Sequence, residues 1–122
     1  MTRINVGIKP KELPSKLLIA ELREIIRIPN QVRKGKFVIK NQPEHFKLGS
    51  GHVKFFYNKL GYLHDRYIAL RKEALERNHN VQDFSNSWDE VPKEMLGDYV
   101  ETKRDRDLLI ERIKDRGFNL NT

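Results

Sequence analysis

Cysteine is absent from this chain of 122 residues, which removes disulfides, thiol nucleophiles and every cysteine-based zinc site at once. That fits a reducing compartment and a cytoplasmic location. Long apolar runs are missing too. The longest clusters, such as Leu17-Leu18-Ile19-Ala20, fall far short of the ~20 residues that span a bilayer, so no membrane partner is expected. The start of the chain lacks the charged-then-apolar layout of a secretory signal. The four histidines, His45, His52, His64 and His79, show no HExxH or other ligand spacing, so no metal is expected. Neither a P-loop nor a serine elbow nor a dinucleotide fingerprint occurs, and Gly49-Ser50-Gly51 is too short to count as one. An enzyme with this inventory works without a cofactor. Internal repeats and Pro/Gly/Ser linkers are also wanting, and the length suits one domain over 1–122 with one core, expected to act as a monomer.

Charge is abundant, and unevenly placed. Hydrophobic residues make up 38% and charged residues 34% of a chain whose net charge is +7. Residues 1–59 carry 13 Lys/Arg against 4 Asp/Glu, whereas residues 60–122 carry 11 against 13. The basic excess lies wholly in the first half. A polyanion such as DNA or RNA suits such a face, although basic residues that merely keep a small protein in solution fit the charge equally well.

Three main helices emerge from the apolar spacing, giving a mostly α class. The first spans 14–28, with Leu18, Leu22 and Ile25 as its buried stripe, Pro14-Ser15 as its start and Pro29 as its stop. Its opposite face gathers Lys16, Ala20, Arg23, Glu24 and Arg27 within about 100°. The second spans 51–77. Val53, Phe56, Leu60, Leu63, Tyr67, Leu70 and Ala74 form one seam, which Phe55, Ile68 and Leu75 widen into a core-facing stripe. At 1.5 Å per residue it would be roughly 40 Å long. The third spans 103–116, opened by the capping box Thr102-Lys103-Arg104-Asp105 and closed by Gly117. Between the first two lies a basic loop over 29–50 that contains Arg33, Lys34, Lys36, Lys40 and Lys47, with a weakly signalled strand at 37–39.

Candidate chemistry begins at the N-terminus. Thr2 is small enough for Met1 to be removed, which would expose an α-amine of pKa ~7.7–8.0, far below the ~10.4 of lysine. Arg3 would lower it further, and such an amine can attack C1′ of a nucleoside to form an imine. Taken alone, the residue is more simply read as part of a frayed terminus. Glu24 is similarly double-sided. It is either a surface partner of Arg27 at i, i+3, worth ~0.2–0.5 kcal/mol, or a carboxylate that shuttles protons inside a basic groove. Arg23 and Arg27 with Lys16 form a solvated face or a phosphate clamp. His52, Phe55, Phe56 and Tyr57 read as structural and core residues, and Trp88 has no assignable role.

The opening Met1-Thr2-Arg3-Ile4-Asn5, the run Ala20-Glu21-Leu22-Arg23-Glu24 followed by Arg27, and Leu48-Gly49-Ser50-Gly51-His52-Val53 with Phe55-Phe56-Tyr57 and Lys59-Leu60 occur in one order along the chain. Val91-Pro92 and Gly97-Asp98-Tyr99 follow. Together they resemble the phage-type pyrimidine-dimer DNA glycosylases that also act as abasic-site lyases, historically called endonuclease V. The resemblance implies double-stranded DNA carrying a lesion as partner, with Thr2 as nucleophile and Glu24 as the key carboxylate. It implies phosphate contacts from Arg3, Arg23, Arg27 and Arg112, to which the basic residues Lys16, Arg33, Lys34 and Lys36 add a DNA-facing surface. It also implies a bent duplex with an extruded base, an imine at C1′, and strand cleavage by β-elimination. If the chain is phage-encoded, its location is the host cytoplasm.

Three positions depart from that pattern. Lys16-Leu17 replaces a Gln-His pair. Leu108 stands at a basic position of the last helix, with Arg104 or Arg106 as possible stand-ins. Gly117-Phe118-Asn119-Leu120-Asn121-Thr122 does not match an aromatic, lysine-containing tail associated with engaging the dimer. Abasic-site cleavage at another lesion and non-catalytic DNA binding are the competing readings.

Overall fold

The computed structural model describes residues 3–121. Five α-helices follow in order: α1 (Ser15–Ile25), α2 (Arg27–Arg33), α3 (His52–Phe55), α4 (Leu60–Glu76) and α5 (Lys103–Asp115). Single 3-10 turns occupy Pro10–Glu12, Ser85–Trp88 and Lys93–Met95. Among the described residues the only β pairing is one isolated bridge between Lys59 and Leu96. The mostly α class expected from the sequence is observed. The strand at 37–39 is not formed, and Val38 and Ile39 are exposed.

The first expected helix is two helices. Proline cannot donate to the carbonyl four residues back, and its ring collides with that carbonyl. For Pro29 that carbonyl belongs to Ile25, the last residue of α1. Pro29 therefore ends the first helix at Ile25 instead of at residue 28. The chain bends at Ile26, whose backbone stays right-handed at φ −71° and ψ −17°, and resumes as α2. There Pro29 is the third residue, where no amide donor is needed. Leu18, Leu22 and Ile25 are buried as the spacing requires, and α2 extends the face with Ile28, Pro29 and Val32.

The long helix expected over 51–77 is also interrupted. The Gln42 amide donates to the carbonyls of Lys54 and Phe55 at 3.0 Å each, occupying acceptors that would otherwise continue the helix. The Asn58 carbonyl instead accepts from the amide of Gly97 at 3.2 Å, and the Gly97 carbonyl accepts from the amide of Tyr62 at 3.1 Å. A Cβ on Gly97 would lie 2.3 Å from the Asn58 oxygen, so this crossing requires glycine. What remains, α4, has 17 residues, or about 25 Å of helix. Its seam of Leu60, Leu63, Tyr67, Leu70 and Ala74 faces the core. Ile68 and Leu75 do not, being 50% and 45% exposed, so the buried stripe is narrower than expected.

Packing of α1 on α4 builds one core, which Ile4, Val6 and Ile8 join from the N-terminal segment and Leu109 and Ile113 join from α5. Phe46, Phe55 and Phe56 meet edge to face there, so the phenylalanines are core and not an exposed stacking surface. Trp88 is buried and donates to the Leu60 carbonyl at 2.9 Å. The capping box of α5 is present, with the Asp105 amide donating to Thr102 Oγ1 and the Thr102 amide donating to Asp105 Oδ2. Gly117 closes the helix at φ +84°, and the Phe118 amide donates back to the Ile113 carbonyl. The following residues fold back, and the Asn121 amide donates to the Glu12 carbonyl at 2.7 Å. That return brings Phe118 beside α1.

Candidate active site

Residues 3–8 bury Ile4, Val6 and Ile8 while belonging to no regular element. Buried backbone groups need partners, and here side chains from distant elements supply several of them. His52 Nε2 accepts from the Ile4 amide at 2.8 Å, Glu101 accepts from the Gly7 amide at 3.0 Å, and Arg66 donates to the Ile8 carbonyl at 3.0 Å. Arg106 donates to the Gly7 carbonyl at 2.9 Å and grips Glu12 with both terminal nitrogens. The segment is thereby fixed against α3, α4, α5 and Glu101 by four hydrogen bonds to Ile4, Gly7 and Ile8.

Beneath it lies a buried ion pair. Arg66 on α4 donates to Glu21 on α1 through Nε at 2.5 Å and through Nη2 at 3.0 Å, and the Asn5 amide donates to Glu21 Oε1 at 2.7 Å. Burial opposes the Arg66 charge, but the Glu21 carboxylate outweighs it and raises the guanidinium's pKa. Tyr62 donates to Glu101 at 2.6 Å, and burial pushes its phenol well above the usual range. Glu21 is thus committed to holding elements together.

Above this pair opens a cavity of about 160 Å³ lined by Arg3, Asn5, Leu17, Ala20, Glu21, Glu24, Ile113, Arg116 and Phe118. Glu24 stands at its wall, 21% exposed, with Oε2 3.0 Å from the Arg27 guanidinium. The i, i+3 pair read from the sequence is therefore made, across the bend at Ile26. Burial lowers the pKa of Arg3, and repulsion from Arg116 and Arg112 lowers it further, so Arg3 and Arg116 line the cavity with a third guanidinium, Arg112, within electrostatic reach of Arg3. Lys16 lies over the Phe118 ring at 5.9 Å, adding a fourth cation at the rim. Among the described residues no three His, Asp or Glu side chains converge as metal ligands would.

Of the residues singled out by sequence, Arg3 and Glu24 line this cavity, with Lys16, Arg27 and Arg112 around it. Thr2 lies outside the described residues. Arg23 is exposed on another flank of α1, lining a second cavity of about 580 Å³ with Ile26, His79 and Phe84. Arg33, Lys34 and Lys36 do not reach the Glu24 cavity. They are exposed at the end of α2 and in the loop after it, and Arg33 donates to Asn30 at 2.9 Å. Of the two stand-ins for the cation missing at Leu108, Arg104 is exposed and donates to the Phe46 carbonyl through one nitrogen, whereas Arg106 is held by Glu12. The sequence reading missed Arg116 and Phe118 as lining residues. Arg116 follows Arg112 by four, one helical turn along the same face, and that spacing was the available signal. It also missed Arg66, which occupies an apolar-facing position between Leu63 and Leu70, where a cation requires a buried partner.

One protein-family model, described as pyrimidine dimer DNA glycosylase, matches residues 1–87 of this chain. The matched part contains the N-terminal segment, α1 to α4, Arg3, Glu21 and Glu24. Arg112, Arg116 and Phe118 lie beyond it.

Proposed function

Because the chain belongs to the pyrimidine dimer DNA glycosylase family, a family of DNA-repair enzymes, we propose that it excises UV-induced pyrimidine dimers and then cleaves the strand. The Thr2 α-amine, freed by removal of Met1, serves as nucleophile and Glu24 as the catalytic carboxylate. The observation that carries this reading is the single cavity bounded by Arg3, Arg116 and Glu24. Like charges packed together repel, and a polyanion relieves that repulsion. Arg3, Arg112 and Arg116 therefore take phosphates flanking the lesion, with Lys16 on α1 and Arg27 at the start of α2 extending the contact, and Arg23 meeting the duplex from another flank of α1. Arg33, Lys34 and Lys36 engage the duplex further from the reacting sugar.

At about 160 Å³ the cavity is well below the ~300–1,000 Å³ of pockets that swallow whole ligands. Its size suits one deoxyribose and excludes two fused pyrimidines. The damaged base thus stays outside while its sugar presents C1′. Amine attack at C1′ forms the C–N bond as the glycosidic bond breaks; the ammonium so formed gives up one proton as the departing base takes one, and its remaining N–H proton goes to the ring oxygen in the next step. Glu24 stabilises the cationic sugar while this happens. Loss of the ring oxygen's bond to C1′ leaves an imine between C1′ and the amine. A base, for which Glu24 is the available carboxylate, removes a C2′ proton, and the 3′ phosphate leaves by β-elimination. The protein acts as a monomer and needs no cofactor for these steps.

Two duplexes test this reading, one with a single cyclobutane pyrimidine dimer and one with a single abasic site. Incision of both, with a 3′ unsaturated aldehyde on the product, supports it. Incision of the abasic duplex alone would assign the lyase to a different lesion. Tight binding without incision of either would make the protein a DNA-binding module.

A further inference from the structure

His52 is absent from the chemistry described above, yet its ring is placed with unusual completeness. It is buried, at 4% exposure, and sits between the edges of Phe46 and Phe56 with ring centroids 5.4 Å away in each case. Its Nε2 accepts from the Ile4 amide at 2.8 Å. An amide can only donate, so Nε2 carries no proton. The proton therefore resides on Nδ1, which donates to the Lys47 carbonyl at 2.9 Å. Both nitrogens are used, each in one role, and the ring is neutral.

Ile4 stands two residues after Thr2. Two residues of chain reach at most about 7 Å, so whatever fixes the Ile4 amide bounds the position of the α-amine. The other bonds on the segment act further along, at Asn5, Gly7 and Ile8. His52 supplies the side-chain tether closest to the terminus among the described residues. We propose that His52 is a positioning residue for the reaction, holding the α-amine of Thr2 in register with Glu24 through the Ile4 amide. This inference rests on the reading of Thr2 as the nucleophile.

The tether works only while the ring is neutral. Protonation of Nε2 would set two donors against each other, at Nε2 and at the Ile4 amide. Burial lowers the pKa of His52 and Arg3 on the N-terminal segment lowers it further, while the Lys47 carbonyl and the Glu21 carboxylate on α1 work in the opposite direction. Burial leads, so the ring stays neutral through the range in which an α-amine becomes a free base. The nucleophile and its anchor are then competent together at neutral and mildly alkaline pH.

Two substitutions and one measurement on the unaltered protein test this. His52→Phe keeps an aromatic body among Phe46 and Phe56 but removes the acceptor. His52→Gln restores an acceptor at about the reach of Nε2. Single-turnover borohydride trapping on an abasic duplex should slow by about 10- to 100-fold in the Phe variant. Its Kd for that duplex should stay within about threefold of the parent, since the arginines remain. The Gln variant should recover most of the rate. In the unaltered protein, exchange protection of the Ile4 amide should fall in step with protonation of the His52 ring, both followed by NMR. Protection that persists through ring protonation overturns the inference, even if the Phe variant fails to fold. So does a folded Phe variant that traps at the parental rate. Absence of any adduct with the unaltered protein would remove the nucleophile reading itself and this inference with it. The Ile4 exchange result would still stand, which keeps the two failures distinguishable.

Discussion

Arg66 grips both oxygens of Glu21 across the interface of α4 and α1, with the two side chains 6% and 0% exposed. The same guanidinium holds the Ile8 carbonyl, and the same carboxylate holds Asn5. One buried ion pair therefore supports the floor of the Glu24 cavity and the N-terminal segment that carries Asn5 and Ile8.

Removing one partner of a buried pair leaves the other charged and unsatisfied, which costs about 3–5 kcal/mol. Arg66→Ala is expected to lose stability on that scale in urea denaturation, with Glu21→Ala close behind. Replacement of both residues by apolar ones should cost less than the sum, because neither leaves a stranded charge. A double-mutant cycle reads the difference.

Glu24 makes the opposite case. It is partly exposed and lies at the surface of α1, so Glu24→Gln should leave the melting temperature nearly unchanged. If the carboxylate moves protons and stabilises the cationic sugar, turnover falls by about 10²–10⁴, while Kd for damaged duplex holds. Normal cleavage by this variant would assign the carboxylate's role elsewhere.

Arg116 was missed as a site residue in the sequence, yet it lines the cavity beside Arg3. Arg116→Ala should weaken binding to damaged and undamaged duplex alike. The slope of log K against log salt should shrink by about one, the signature of one lost phosphate contact. An unchanged slope would place Arg116 outside the DNA footprint.

Glu12 offers a pH readout separate from catalysis. The Arg106 guanidinium, by its hydrogen bonds, holds the Glu12 carboxyl down to about 2 from its ordinary 4.5. A depressed folded-state pKa stabilises above the unfolded value and ceases to do so as pH falls through the folded one. This contribution is therefore complete above about pH 4.5 and lost between there and about pH 2. Arg106→Ala should flatten the decline of melting temperature across that window.

Much of this architecture could be read from spacing alone. The stripe Leu18, Leu22 and Ile25, the seam from Leu60 to Ala74 and the capping box at Thr102 depend on local periodicity, and all are as expected. The errors came where a distant residue intervened. Gln42 takes the carbonyls of Lys54 and Phe55, which would have carried the long helix onward, and Gly97 takes that of Asn58. Nothing within the 51–77 window announces either. The position of Pro29 was legible, but its effect falls four residues upstream, on Ile25. Arg3 and Glu24, singled out by the family resemblance, line one cavity. Arg116 joins them only because the end of the last helix lies against the first half of the chain, a relationship set by tertiary packing rather than by local pattern.

The central claim is that a main-chain amine, and not a lysine, captures the sugar. Borohydride reduction on an abasic duplex, followed by mass spectrometry of the digested adduct, reads it directly. One adduct is expected, on the peptide beginning at Thr2, formed equally well in EDTA. An adduct mapped to any lysine side chain would contradict it.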